Sequence, residues 1–405
     1  MIKDFLQKNR LAMIFSVLAS LFYFSIVLIY YPKTTIFFNN GQFDVLFDTD
    51  TGVIFKGDWF YGTAADIRHF LFRNFMSPFI FPIKVLLGSD VLAKHPTVYG
   101  IYIAFIQIVF MSVNTFIILK LMKDFGIAKW TRILLGLLFI TAWQQIFFSV
   151  NLERYFLGQF SLLFFLLLVH LSKTKSMIVN GLAGILLIGT TVTNIYLFFA
   201  NLVVAKMSLI KKLLHVLVFG ILFYYVLLFG GGGGQLLSAS GFLGGYTDKF
   251  TEKYPLIELP GKIFTNLFYS SIFPPNLDRS VKDAFFQSSH VDLIPAILVG
   301  IILIVSFYTI WKMRNNPFVL LLGFVLLGNL VLHGFVQFGL RSAAMYTNHF
   351  NFVFYLLIGF FSTLIPADKR KWFYAFLGVW LVVSLYQTTN LFIEIYQLGI
   401  TAYGR

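Results

Sequence analysis

The sequence predicts an all-α polytopic membrane protein, and three observations predict it. The 405-residue chain is 58% hydrophobic and 12% charged, about half the charged share of an ordinary soluble protein. Its mean hydropathy is +0.81, and phenylalanine alone supplies 51 residues. Apolar runs of about 20 residues, the length that crosses hydrocarbon as a helix, recur along the chain. No soluble core encloses that much apolar surface, and the same composition excludes disorder. With no cysteine, disulfide frameworks, thiolate nucleophiles and cysteine-held metal centres are excluded as well.

The first apolar run, 11–31, follows Lys3, Lys8 and Arg10. It exceeds the apolar core of a signal peptide and lacks a small-residue cleavage site, so it reads as an uncleaved first span. Further spans are expected over 98–121, 133–150, 157–171, 213–229, 292–311, 317–338, 345–365 and 372–393. The stretch 177–205 is too long for one untilted span. Read as two short helices bending near Thr190 to Asn194, it places Lys206, Lys211 and Lys212 on the same side as the other loop lysines. The total is then 11 spans in a single integral membrane domain, 1–405, with the N-terminus cytoplasmic and the C-terminus outside.

Charge supports that orientation. The loops expected inside hold seventeen basic residues and three acids, Asp4, Asp124 and Asp368, leaving fourteen of each outside; cytoplasmic loops are the basic ones. The net charge of +14 is therefore a topology signal. No basic strip with interleaved aromatics suggests nucleic acid.

Two outer segments exceed ordinary connections. The first, 32–97, carries Asp44, Asp48, Asp50, Asp58, Asp66, Arg68, His69 and Arg73, then an aromatic run, 70–87, broken by Pro78 and Pro82, which suits a helix lying in the interface. The second, 230–291, opens with five glycines. It reads equally as a flexible lid or as a loop without a role.

Within the first loop, Asp48 and Asp50 lie at i and i+2, which in an extended segment point to opposite sides. Three readings are open for them: a general base that takes a proton from a hydroxyl, a site for a divalent cation such as Mg or Mn, and solvated loop acids. Arg68 and His69 suit a phosphate or a lipid headgroup. Glu153 and Arg154 occupy a very short turn between two spans, where charge is costly unless paired or functional; a salt bridge of Glu153 to Arg154 or to Arg341 is the structural alternative. Arg341, Tyr346, Asn348 and His349 follow the ninth span, and His333 and Gln337 sit within it. A guanidinium such as Arg341 suits a phosphate leaving group. Thr190, Thr191, Thr193, Asn194 and Asn201 are expected to bond helix to helix.

This layout resembles the GT-C superfamily of polytopic membrane glycosyltransferases, in its bacterial, polyprenyl-phosphate-sugar-dependent form. The resemblance rests on a long first outer loop and on Thr49-Asp50-Thr51-Gly52-Val53 and Arg68-His69-Phe70-Leu71-Phe72, where Phe70 replaces a proline. The turn at Glu153 and the run Tyr346-Thr347-Asn348-His349-Phe350, which lacks a small-Pro pair before the histidine, add to it. It implies a GT-C-like bundle whose first loop carries interfacial helices. It also implies transfer of a sugar from a polyprenyl-phosphate-linked donor to a glycan or glycolipid acceptor outside a bacterial plasma membrane. By resemblance Asp50 is the general base, with Asp48 as the fallback. Arg68 and Arg341 stabilise the carrier phosphate, and His69, Glu153, Tyr346 and His349 help position the substrates. The reaction then inverts the anomeric centre and requires no metal, although Asp48 and Asp50 remain the candidates if one binds. Two alternatives stay open. One is an oligosaccharide ligase or polymerase using a diphosphate-linked glycan, for which Arg279 and His290 are available. The other is a lipid or polysaccharide transporter, against which the outer placement of the charges and the lack of a visible repeat count.

Overall fold

Helices follow the apolar runs in the computed structural model, which describes residues 4, 7–38, 45–62, 69–229, 251, 253–278, 282–288 and 290–404. The first is α1 (Arg10–Tyr30). Then come α2 (Thr51–Lys56), α3 (Phe72–Leu87) and, after a single turn over Val91–Lys94, α4 (Pro96–Asp124). Next come α5 (Lys129–Ile140), α6 (Trp143–Val150), α7 (Tyr155–His170), α8 (Met177–Thr190), α9 (Tyr196–Val204) and α10 (Leu209–Phe229). A π-helical segment, Ile263–Tyr269, and a two-stranded antiparallel ribbon of β1 (Leu277–Asp278) and β2 (Phe286–Gln287) precede the last bundle helices. These are α11 (Leu293–Lys312), α12 (Pro317–Asn329, prolonged by the π-helical Leu330–Phe335), α13 (Ala343–Thr347), α14 (Phe352–Leu364) and α15 (Arg370–Tyr403).

Among the described residues, six helices are long and apolar enough to cross a membrane, or seven if the pair α5–α6, bent by 47°, is one span. This is an all-α membrane protein. Four shorter apolar stretches, including α7, α8 and α14, pack with them. Within its apolar window α4 is 67% buried and α10 only 11%, so α4 is the axis of the bundle and α10 its margin.

Side-chain contacts fix which helix ends lie together. At one end, the Lys123 ammonium donates to the Lys8 carbonyl, His170 meets Asp124 at 3.1 Å, and the Phe125 ring packs on Phe318 and Phe360. Asn180 joins Asn201 and His215 near the same end, at 3.4 and 3.0 Å. The helix ends there carry the lysine-rich loops around 123–132, 173–175 and 206–212. At the other end, Thr34 donates to the Gly399 carbonyl at 2.8 Å and the Thr35 N–H to that of Tyr403 at 3.0 Å. Helices α1 and α15 thus finish side by side.

The stretch 177–204 divides where its polar residues cluster. Helix α8 stops at Thr190, a short 3-10 turn covers Val192–Ile195, and α9 returns. Thr190 donates to Ser161 at 2.9 Å and Asn194 to the Gly158 carbonyl at 3.4 Å, so these polar groups do bond helix to helix, as irregular backbone inside a bundle requires.

The proline-containing run 70–87 does form a helix, α3, which passes unbroken through Pro78 and Pro82. The Ser77 hydroxyl bonds the Arg73 carbonyl at 2.7 Å, and the Tyr102 hydroxyl ties α4 to the Phe79 carbonyl at 2.8 Å. One expectation needs correction: the segment before Asp50 is not extended. Phe47 and Asp48 both take left-handed backbone angles, φ 54° and 58°, and the Thr49 hydroxyl closes the turn on the Leu46 carbonyl at 2.8 Å. The alternation of an extended strand therefore does not govern Asp48 and Asp50.

Candidate active site

Asp50 stands immediately before α2, its carbonyl accepting from the Ile54 N–H at 2.9 Å. The loop bearing it is tied to the turn between α6 and α7. Asn151 donates to the Thr51 hydroxyl at 2.8 Å, and the backbone N–H of Asp50 donates to Glu153 Oε2 at 2.9 Å. The other carboxylate oxygen, Oε1, accepts the Arg154 N–H at 2.7 Å. Arg154 Nη2 in turn meets Asp50 Oδ2 at 3.2 Å. The ionic partner of Glu153 is therefore Arg154, Nε to Oε1 at 3.7 Å, and not Arg341.

Burial separates these groups. The side chains of Glu153 and Arg154 are 1–2% exposed, whereas that of Asp50 is 26% exposed. Burial pushes the Glu153 carboxyl up to about 7; Arg154 pulls against the rise, the Asp50 charge adds to it, and the two backbone bonds oppose it. An acid enclosed this way with both oxygens engaged is shaped to hold backbone. Asp50 is the carboxylate of the pair that other molecules can reach.

A second guanidinium lies nearby. The Trp59 ring sits 5.0 Å from the Arg154 guanidinium and 5.8 Å from that of Arg73, and Arg73 Nε donates to the Trp59 carbonyl at 3.2 Å. Burial lowers the Arg73 pKa, Asp58 opposes that, and Arg154 lowers it further. Two guanidiniums thus meet on one indole, one of them paired with the accessible Asp50 carboxylate.

Tyr155, the next residue along, gathers the remaining groups. Its ring lies 5.5 Å from His69, 5.2 Å from His349 and 5.6 Å from Tyr346, and Tyr346 stacks on His333 at 4.6 Å. His69 is buried, with Nδ1 on the Thr190 carbonyl. His349 is also buried, with Nε2 against Gly158. Below this layer an amide network crosses the bundle: Asn114 donates to Gln159 Oε1 at 2.9 Å, and Gln159 Nε2 donates to the Asn348 carbonyl and Asn351 Oδ1 at 2.7 and 2.8 Å.

The structure thus brings Asp50, Glu153, His69, Tyr346 and His349 around the turn 151–155, with Asp48 two residues from Asp50 in the same turn. Arg341 is exposed on the loop before α13, and no described contact carries it to Asp50. Arg68 lies outside the described residues, as do Arg279 and the glycine-rich start, 230–250, of the segment 230–291 that reads as a lid or as a loop without a role. His290 is exposed, its backbone tied to Ser288 and Asn276. Among the described residues, no three of His, Cys, Asp and Glu converge to hold a metal. Arg154, Arg73 and Tyr155 are the additions that the sequence did not single out as site residues; the signal for the first was a charge pair in a turn too short to be solvated freely. Compared with known proteins, the chain matches no family model, no curated protein and no solved structure.

Proposed function

We propose that the protein is a membrane glycosyltransferase that moves a sugar from a polyprenyl-phosphate-linked donor to a glycan or glycolipid acceptor outside the cytoplasm. The observation that carries this reading is the reachable Asp50 carboxylate paired with Arg154, with Arg73 near Arg154 on the Trp59 ring, at the end of the bundle remote from the lysine-rich loops. A base next to an anion site matches the needs of the reaction. The acceptor hydroxyl loses its proton to Asp50 as its oxygen forms a bond to the anomeric carbon. The bond from that carbon to the phosphate oxygen breaks on the opposite face, which inverts the centre. Charge gathers on the departing lipid phosphate, where arginines stabilise it. Arg73, which is part-exposed, is the near partner for that phosphate, and the resemblance adds Arg68 and Arg341.

The same reading has all eleven apolar passages cross the bilayer: the six long helices, the bent pair and the four shorter ones. The lysine-rich end then faces the cytoplasm, as loop charge requires, and Asp50 lies at the outer interface, within reach of a lipid-borne sugar. Reconstituted protein supplied with polyprenyl-monophosphate sugars is the test. Transfer to a lipid or glycan acceptor supports the proposal. Transfer only from a diphosphate-linked oligosaccharide would move the protein to the ligase class, and lipid flipping without transfer would move it to the transporters.

A further inference from the structure

The opposite end of the molecule carries a feature that glycosyl transfer does not use. Helix α11 packs on α14, while α15 packs on α5, so α11 and α15 diverge over α14. A groove of about 640 Å³ remains between them, lined by Ile304, Tyr308, Phe361, Trp372 and Phe376, with Lys369 at its rim. Ile301 to Tyr308 marks its length, about 10 Å of helix, roughly two-thirds of one leaflet's hydrocarbon depth. Its walls are almost wholly apolar, and Trp372 and Ile304 stand 71% and 70% exposed.

The rim has a charge to match. Lys312, Arg314, Lys369, Arg370 and Lys371 gather at this end of α11 and α15 beside a single acid, Asp368. Among the described residues none of these five cations makes an ion pair; Arg314 instead caps the Trp311 carbonyl at 3.1 Å, and the Lys371 ammonium lies 5.6 Å from the Trp372 ring centre. An apolar slot about two-thirds of a leaflet deep that opens under unpaired cations and a tryptophan has the chemistry of a phospholipid site: chain in the slot, phosphate on the rim.

We infer that this groove binds the acyl chain of an anionic phospholipid, whose headgroup phosphate rests on Lys369 and its basic neighbours. The site is separate from Asp50 and holds whether or not the protein transfers sugars.

Bilayers in which acyl chains are dibrominated on either phosphatidylglycerol or phosphatidylcholine test this. The readout is quenching of Trp372, isolated as the difference between the full-length protein and its Trp372→Phe variant. The expected result is a preference for the anionic lipid of roughly fivefold for each engaged cation. That preference falls toward unity in a Lys369→Gln, Arg370→Gln, Lys371→Gln variant, and it weakens when Ile304→Phe narrows the slot. Equal quenching by the two lipids would overturn the inference. So would the absence of quenching by either, which would mean that a second copy or another protein covers the groove. A preference that survives both sets of substitutions would also overturn it.

Discussion

Glu153 holds Asp50 by its backbone: the carboxylate accepts the Asp50 N–H at 2.9 Å while the Asp50 side chain, 26% exposed, pairs with Arg154 at 3.2 Å. One carboxyl anchors the loop so that the other is presented. This division of labour between two acids 103 positions apart ties the first loop to the turn 151–155.

Glu153 gives the protein a characteristic dependence on pH. Its folded-state value, about 7, lies above the ordinary 4.5, so between these values the folded state binds the proton more tightly than the unfolded state. Stability therefore falls as pH rises from about 4.5 through 7. Burial causes the rise, Arg154 opposes it and Asp50 adds to it. Thermal midpoints measured from pH 5 to 8 should decline more steeply for the native protein than for Glu153→Gln, which has no proton to lose. At pH 8 the variant should be weaker by about 1–3 kcal/mol, because its amide nitrogen faces a backbone donor.

Arg154 is buried beside two carboxylates, so its removal leaves negative charge uncompensated. Arg154→Met should cost about 3 kcal/mol or more of stability, and Arg154→Lys should recover only part of it, since an ammonium cannot match the guanidinium fork. Thermal unfolding in detergent checks both.

The space at Gly158 belongs to His349. A Cβ there would stand 2.5 Å from the imidazole Nε2 and 3.1 Å from the Thr191 hydroxyl. Gly158→Ala should destabilise by about 1–3 kcal/mol and move the His349 ring off Tyr155. Gly220→Ala, where a Cβ meets nothing within 4 Å, should show no such loss.

Gln159 bridges α4, α7 and the turn before α14. Replacing it by leucine strands the amide of Asn114 and the acceptors of Asn348 and Asn351. The expected cost is about 1–2 kcal/mol, the upper part of the range for hydrogen bonds between membrane helices. Double-mutant cycles with Asn114→Leu should return a coupling of the same sign.

Much of this was legible in the sequence because membrane helices announce themselves by length and composition, and because the polar interruption at Thr190–Asn194 can only be a break. The paired charges at Glu153 and Arg154 were legible as an anomaly, but their partner was not: nothing periodic links residue 50 to residue 154. The π-helical turn at Ile263–Tyr269 lay hidden in a stretch read as loop. The carbonyl that follows it, of Ser270, is gripped by Trp143, Gln144 and Thr347, and such remote donors leave no local mark.

Sugar transfer by Asp50→Asn protein tests the central claim most directly. The asparagine keeps the backbone bond to Glu153 but cannot take a proton, so the variant should fold and reconstitute like the native protein while transfer from a polyprenyl-monophosphate sugar drops by at least about 100-fold. Transfer by the folded variant at the native rate would contradict the assignment of Asp50 as the base.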